Sequence, residues 1–166
     1  MSNIKSRLLQ LTIRKIIIMA LAFAGLLPSL YASFYLQVDS GQATMSNVIS
    51  GTCGIEKIGA GSVILSAINT YTGPTTVSAG ELLINGSVLG DVTVNPGTIL
   101  GGSGDGTTTG IIRGNVLNNS IVRTNDKTGS HLSIQGTYTQ AGTASFLAKV
   151  SPLVYDYLAV VRVHME

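Results

Sequence analysis

The stretch IGAGSVILSAINTYTGPTTVSAGELLINGS, residues 58–87, decides the fold. Within it SVILS (62–66) and ELLING (81–86) are short Val/Ile/Leu runs separated by Gly, Asn, Ser and Thr. Several such runs alternate apolar and polar residues with period two, the strand signature, because successive side chains of a strand point to opposite faces. The texture continues outward in DVTVN (91–95), GTILGG (97–102), GIIRGNV (110–116), SIVR (120–123), HLSIQGTYT (131–139), SFLAKV (145–150) and YLAVVRV (157–163). After residue 40 no stretch keeps apolar residues at i, i+3, i+4, i+7 over three turns, so no helix is expected there.

Short strands at near-regular spacing make a sandwich, a barrel or a stacked solenoid. Three observations favour the solenoid. The spacers are Gly, Asn, Ser and Thr rather than charged residues. Two-residue hairpin signals are few, with Asn85-Gly86 the single Asn-Gly and Asp105-Gly106 the single Asp-Gly. Aromatic residues are 5% of the chain, little for a sandwich core. The chain also echoes itself. LGDVTVNPGTI (89–99) and RGNVLNNSIV (113–122) each run glycine, valine strand, asparagine, second apolar strand. Gly90 and Gly114 set a period of about 24 residues, inside the range of repeat architectures.

The central stretch closely resembles the passenger-associated repeat of bacterial autotransporters. Gly59, Gly61, Leu65, Asn69, Thr70, Tyr71, Thr72, Gly73, Thr75, Val77, Gly80 and Leu82 fill its motif, with Val63 standing for the first leucine. The resemblance covers about residues 50–160. It implies a right-handed parallel β-helix (β-solenoid), carried across the outer membrane with help from a C-terminal β-barrel. The residues agree with that fold: corner glycines would supply φ > 0, and Asn69-Thr70 and Asn118-Asn119 suit side-chain-bonded or left-handed turns. Alternate Val, Ile and Leu would share one core, each coil burying its face only against its neighbours. The chain departs from the family in TNDKTG (124–129), where a Pro-Gly-Asn-Ser-type turn is usual, and in stopping at Glu166 with no run of amphipathic barrel strands. The expectation is a truncated autotransporter: a leader over 1–32, a linker over 33–50 and a passenger solenoid of about five coils over 51–166.

The charge pattern singles out the leader. The chain carries 10 Lys and Arg against 8 Asp and Glu, a formal +2, but residues 1–32 hold Lys5, Arg7, Arg14 and Lys15 and no acid. The rest is faintly acidic. Behind the basic end, Ile16 to Leu27 is apolar throughout, and Pro28-Ser29 follow. A short apolar helix behind basic residues reads as a secretory signal, with cleavage near Ala32 or Ser33. An uncleaved signal anchor is the alternative, since the apolar run can extend to Leu36, enough to span a bilayer. Either way the body is exported. Arg14-Lys15 is not a twin arginine, so the Sec export machinery is the expected partner.

Chemistry is sparse. One cysteine, Cys53, excludes an internal disulfide framework and multi-cysteine zinc sites. An unpaired thiol in an oxidising compartment leaves a disulfide-linked dimer as a minor option. GGSGDGTTTG (101–110) lacks the Lys-Ser/Thr of a P-loop and the third glycine of a dinucleotide fingerprint, and its aspartate arrives one residue early for the calcium nonapeptide. It reads as a corner loop. His131 with Asp126 and Ser130 is near in sequence, which is no evidence of a triad. The eight acids are dispersed, against the clustered carboxylates of a polysaccharide hydrolase. Tyr71 and Tyr138 are read as corner packing rather than binding aromatics.

The expected function is thus non-enzymatic: no catalytic residue, no cofactor, no metal and no nucleic-acid partner. The chain reads as an exported solenoid stem for surface display, adhesion or passenger export at the outer membrane or cell surface, with host-surface or self-association contacts. The alternatives are a periplasmic domain tethered by an uncleaved leader, a non-functional remnant, or a small β-helix hydrolase.

Overall fold

A computed structural model describes residues 33–102, 109–124, 131–147 and 157–165. The leader, the centre of the glycine-rich loop, most of TNDKTG, and Asp126 and Ser130 lie outside the described residues. The described chain is all-β, and no helix in it is long and apolar enough to cross a membrane.

The strands are β1 (Ser33–Gln37), β2 (Gln42–Met45), β3 (Gly54–Ile58), β4 (Ser62–Leu65), β5 (Thr75–Val77), β6 (Glu81–Ile84), β7 (Ser87–Val88) and β8 (Val92–Val94). They continue as β9 (Ile99–Gly101), β10 (Thr109–Ile112), β11 (Val116–Asn118), β12 (Ile121–Arg123), β13 (His131–Gln140), β14 (Ser145–Leu147) and β15 (Tyr157–Met165). Every pairing among them is parallel. One face stacks β1, β3, β5, β8, β11 and the end of β13; a second stacks β2, β4, β6, β9, β12 and β14. The third stacks β7, β10 and the start of β13, which runs through the corner and joins two faces into one nine-stranded sheet. This is a parallel β-solenoid, and the crossover rule for parallel strands makes its coil right-handed.

Coil length follows from register. Ile55 lies opposite Thr75, Thr75 opposite Val92, Val92 opposite Val116 and Val116 opposite Tyr138, so a coil takes 20, 17, 24 or 22 residues. Inside, alternate residues form continuous columns. Ala43, Val63, Leu82, Leu100, Val122 and Phe146 line the second face, and Val88, Ile112 and Ile134 the third. Leu65, Leu82, Ile84, Val94, Leu100, Ile112 and Val122 are fully buried. Burying each such side chain contributes about 1.5–3 kcal/mol, and each coil reaches that burial only through its neighbours.

The first coil begins earlier than the sequence pattern suggests. Residues 33–50, read there as a linker, contain β1 and β2, which pair with β3 and β4. The reason is in SFYLQV (33–38): Phe34, Leu36 and Val38 point into the core on alternate positions. Tyr35 between them is large and partly apolar, which hides the alternation and makes the segment look like a continuation of the leader.

Glycine plays two parts. Gly41, Gly51, Gly59, Gly80 and Gly97 have positive φ, as expected of corners. Gly97 follows Pro96 in the turn closed by Thr98 N–H to the Asn95 carbonyl (3.2 Å), the type II arrangement that needs φ > 0 there. Gly73, Gly90, Gly114 and Gly136 serve instead because no side chain fits. Each stacks on the last at one corner, and a Cβ on any of the final three would strike the backbone of the glycine beneath.

Candidate functional site: the NTYTG corner and the internal polar pins

The repeat motif forms the corner where three coils meet. From Gly61 to Val77 every odd-numbered residue is buried and every even-numbered one is at least partly exposed. Asn69, Tyr71, Gly73 and Thr75 therefore face inward, while Thr70 and Thr72 face water.

Asn69 is 1% exposed and uses its whole amide. Its Oδ1 accepts from Ile49 N–H in the coil before (2.9 Å). Its Nδ2 donates to the Ala67 carbonyl in its own coil (3.0 Å) and the Ser87 carbonyl in the coil after (3.2 Å). Asparagine alone offers one acceptor and two donors on so short a stem; glutamine would overreach and aspartate cannot donate. Thr70 and Thr72 continue the corner through backbone bonds to Ile49 and Gly51. Tyr71 is buried, and its hydroxyl shares a 2.6 Å hydrogen bond with Thr75 Oγ1. Burial pushes its pKa up to about 12, against a smaller lowering by the Thr75 bond. Gly73 sits against Cys53 and Gly54 of the coil beneath. Leu65, Val77 and Leu82 are core residues, and Gly59 and Gly80 take the left-handed conformation. The motif residues thus spread over one full coil: Asn69 to Thr75 make the NTYTG corner, Gly59, Gly61 and Gly80 stack at another, and Leu65, Val77 and Leu82 lie in the core.

Two further polar groups inside the coil, Lys57 and Thr98, had no sequence signal. Lys57 is fully buried, and its Nζ donates to the carbonyls of Ile58 (2.9 Å), Gly59 (2.7 Å) and Ala79 (3.0 Å). Burial lowers its pKa to about 8, partly opposed by the negative charges of Asp39 and Glu81. Thr98 occupies the same corner two coils on, its Oγ1 donating to the carbonyls of Asn95 (2.7 Å) and Val77 (3.3 Å).

Asn118, fully buried, donates from Nδ2 to the Tyr138 hydroxyl (2.9 Å) and the Ser145 carbonyl (3.2 Å), and its Oδ1 accepts from Ser120 N–H (3.0 Å). The Tyr138 hydroxyl donates to Gln140 Oε1 (2.7 Å), and burial raises its pKa. Each of these chains crosses between coils, so each works as a register pin.

Two ladders run along the outside. At the glycine corner Asp91 Oδ1 accepts from Asn115 N–H (2.7 Å) and Nδ2 (3.1 Å), and Asn115 Oδ1 accepts from Thr137 N–H (2.9 Å). On the second face Arg123 reaches past β9 to Glu81, with Nε 3.1 Å from Oε1, while Ser62 Oγ donates to Glu81 Oε2 (2.8 Å). That ion pair links alternate coils.

The chemistry these arrangements offer is fastening. Among the described residues no group of three or more His, Cys, Asp or Glu could hold a metal ion. A partly open cavity of about 10 Å³, room for roughly one water, is lined by Leu36, Gln37, Val38, Ala43, Met45 and Val63. It is smaller than the ~300–1,000 Å³ of small-molecule sites and has no charged lining. His131 starts β13, and its imagined partners Asp126 and Ser130 lie outside the described residues. Cys53 is an exposed free thiol just before β3.

Residues 55–84 match the family described as Passenger-associated-transport-repeat. The chain is 47% identical over 69 residues to the Adhesin BmaC autotransporter of Brucella suis biovar 1 (strain 1330), covering 40% of this chain and 2% of that protein. It is 49% identical over 63 residues to an Extracellular serine protease of Serratia marcescens, 37% of this chain and 6% of that protein. The chain therefore spans only a few per cent of the length of these curated relatives. No solved structure matches it.

Proposed function

We propose that this chain, which carries an autotransporter passenger repeat within a stacked β-solenoid, is an exported, non-catalytic stem that supports surface display, adhesion or passage of a passenger across the outer membrane. The observation that carries the reading is the coincidence of the matched repeat, residues 55–84, with the junction in which Asn69 binds three successive coils. Similarity over short stretches to both an adhesin and a protease suits a scaffold better than a reaction centre. Fastening residues are what such a scaffold needs, because each coil is stable only against the next.

The leader supports export. Its basic end and apolar run precede Ser33, where β1 begins, and cleavage near Ala32 or Ser33 would release a chain that starts at its first strand. The Sec machinery would deliver it, and the outer membrane or cell surface would be its destination.

Grafting tests the stem role. Residues 33–165 are placed between a reporter epitope and an outer-membrane β-barrel in a bacterial host, and surface epitope is measured on intact cells. The stem reading expects strong display with the native segment and a large loss when Asn69→Ala and Gly114→Ala loosen the stack. Equal display from both versions would refute it.

A further inference from the structure

The solenoid is open at its first coil. β1 and β2 each pair on one side, with β3 and β4, and among the described residues no strand covers their other edge. Edge strands are commonly guarded by charge, proline or a bulge. This edge has little of that: residues 33–50 hold one charged residue, Asp39, and no proline, and β1 runs in unbroken register with β3. The core is open at the same end. Phe34, Met45 and Ile49 are only partly buried, and Leu36, Val38, Ala43 and Met45 of this coil line the partly open cavity.

The edge is complementary to itself. Val38 N–H donates to the Ile58 carbonyl (3.2 Å) and the Val38 carbonyl accepts from Gly61 N–H (2.7 Å), so the backbone of Val38 faces the next coil. Backbone direction alternates along a strand. Phe34 and Leu36 therefore face β3 as well, and Ser33, Tyr35 and Gln37 turn their N–H and carbonyl groups to the open edge. Tyr35 is the middle residue of the five in β1. A second β1 laid antiparallel about a two-fold axis at Tyr35 makes Tyr35 a hydrogen-bonded pair with its own copy, each giving one N–H and one carbonyl. Ser33 and Gln37 then pair with each other in the same way. The inward side chains also match: Phe34 lies opposite Leu36 of the second copy, so the apolar core runs on across the axis. The two Tyr35 rings meet outside, an aromatic cross-strand pair.

We propose that the free edge of β1 is a self-association surface, on which a second copy of this chain docks head to head through β1–β1 pairing centred on Tyr35. An unrelated strand would have to match the backbone and side-chain alternations separately; a second copy matches both by symmetry. The pairing continues the ladder that already joins the coils. It deepens the stem reading and rests on its cleaved leader: residues 1–32 lead directly into Ser33, and cleavage near Ala32 or Ser33 would bare this edge. Two stems joined in this way would link the surfaces that carry them.

The full chain is expressed in a bacterial host, and the purified product is studied by intact mass and by sedimentation. The expected species is a dimer that forms as concentration rises and stops at two, because a two-fold contact closes on itself and one coil end is a small interface. Tyr35→Pro removes the N–H at the axis without removing a bond to β3, as proline can on an edge strand. It weakens the dimer about thirtyfold or more, the loss of two hydrogen bonds. Cysteine trapping stands even if that variant fails to fold. In a Cys53→Ser background, Tyr35→Cys meets its own copy at a Cα separation of about 5.5 Å, within disulfide reach. Gln37→Cys stands about 14 Å from its copy along the sheet. Mild oxidation therefore crosslinks the first variant and leaves the second uncrosslinked. A monomer at every concentration overturns the proposal, including one whose edge a retained leader covers. A polymer that keeps growing, or equal crosslinking of the two variants, overturns it too. Intact mass reports on the leader and crosslinking on the pairing, so the stem reading and the dimer fail separately.

Discussion

Replacing Gly114 with alanine should damage the solenoid more than an exposed glycine substitution can. A Cβ there would lie 2.5 Å from the Gly90 carbonyl carbon and oxygen and 2.7 Å from Asp91 N. These are backbone atoms of the coil beneath and cannot rotate away. Restoring ordinary contact needs a shift of about 0.8 Å in strands spaced ~4.8 Å apart. Two hydrogen bonds span that gap, Val92 N–H to the Asn115 carbonyl (2.8 Å) and Asn115 N–H to Asp91 Oδ1 (2.7 Å). Losing both costs about 2 kcal/mol. Overpacking strain adds about 1–3 kcal/mol. The expected total is about 3–5 kcal/mol. Gly97→Ala is the control. Gly97 has φ 79° and nothing within 4 Å of its Cβ position, so its alanine costs only the left-handed conformation, about 1–2 kcal/mol. Urea unfolding followed by far-UV circular dichroism compares the two. A midpoint for Gly114→Ala no lower than that of Gly97→Ala would refute the argument that glycine is required there for close stacking.

Three further outcomes are expected. Asn69→Ala strands Ile49 N–H at a buried corner and takes one of two bonds from the Ala67 and Ser87 carbonyls, which keep their backbone N–H donors; it should destabilise by about 1–3 kcal/mol, read as a drop in urea midpoint, and a loss under about 1 kcal/mol would contradict a three-coil role. Arg123→Gln should cost only about 0.5–1 kcal/mol, since the pair is partly exposed at 31% and 14%. Stability should peak near pH 10. The Lys57 pKa is about 8 in the folded chain against its ordinary 10.5, so in that interval the unfolded chain binds the extra proton and stability rises with pH. The Tyr71 pKa is about 12 in the folded chain against its ordinary 10.0, so above pH 10 the folded chain holds the proton and stability falls. Thermal melts across pH 7–11 check this, and Lys57→Met should flatten the rise but not the fall.

The coil itself was legible because its information is local. DVTVN alternates cleanly, with Val92 and Val94 its buried apolar members, while SVILS is a short apolar run in which Val63 and Leu65 are buried and Ile64 is on the outer side. Gly90 and Gly114, a sequence echo, prove to be stacked neighbours. The motif residues Asn69 and Tyr71 were found by resemblance, but the three-coil bonding of Asn69 depends on contacts 18–20 residues away. Among the other pins Asn118 carries a turn signal, and its Oδ1 does accept from Ser120 N–H, but Lys57 and the Glu81–Arg123 pair were not legible. IEKI (55–58) has no alternation, so nothing local marks Lys57 as inward. Glu81 and Arg123 lie 42 residues apart and meet only because Arg123 crosses an intervening strand. Corner glycines were all assigned to φ > 0, whereas half of their work is to let coils approach. That role exists only once coils are stacked.

The most direct test of the account is the intact mass of the chain after expression, combined with cell fractionation. The account predicts loss of about 32 residues, leaving a chain that begins at or beside Ser33, in the periplasmic, surface or extracellular fraction. Full mass in the inner-membrane fraction would contradict a released stem and favour a tethered periplasmic domain.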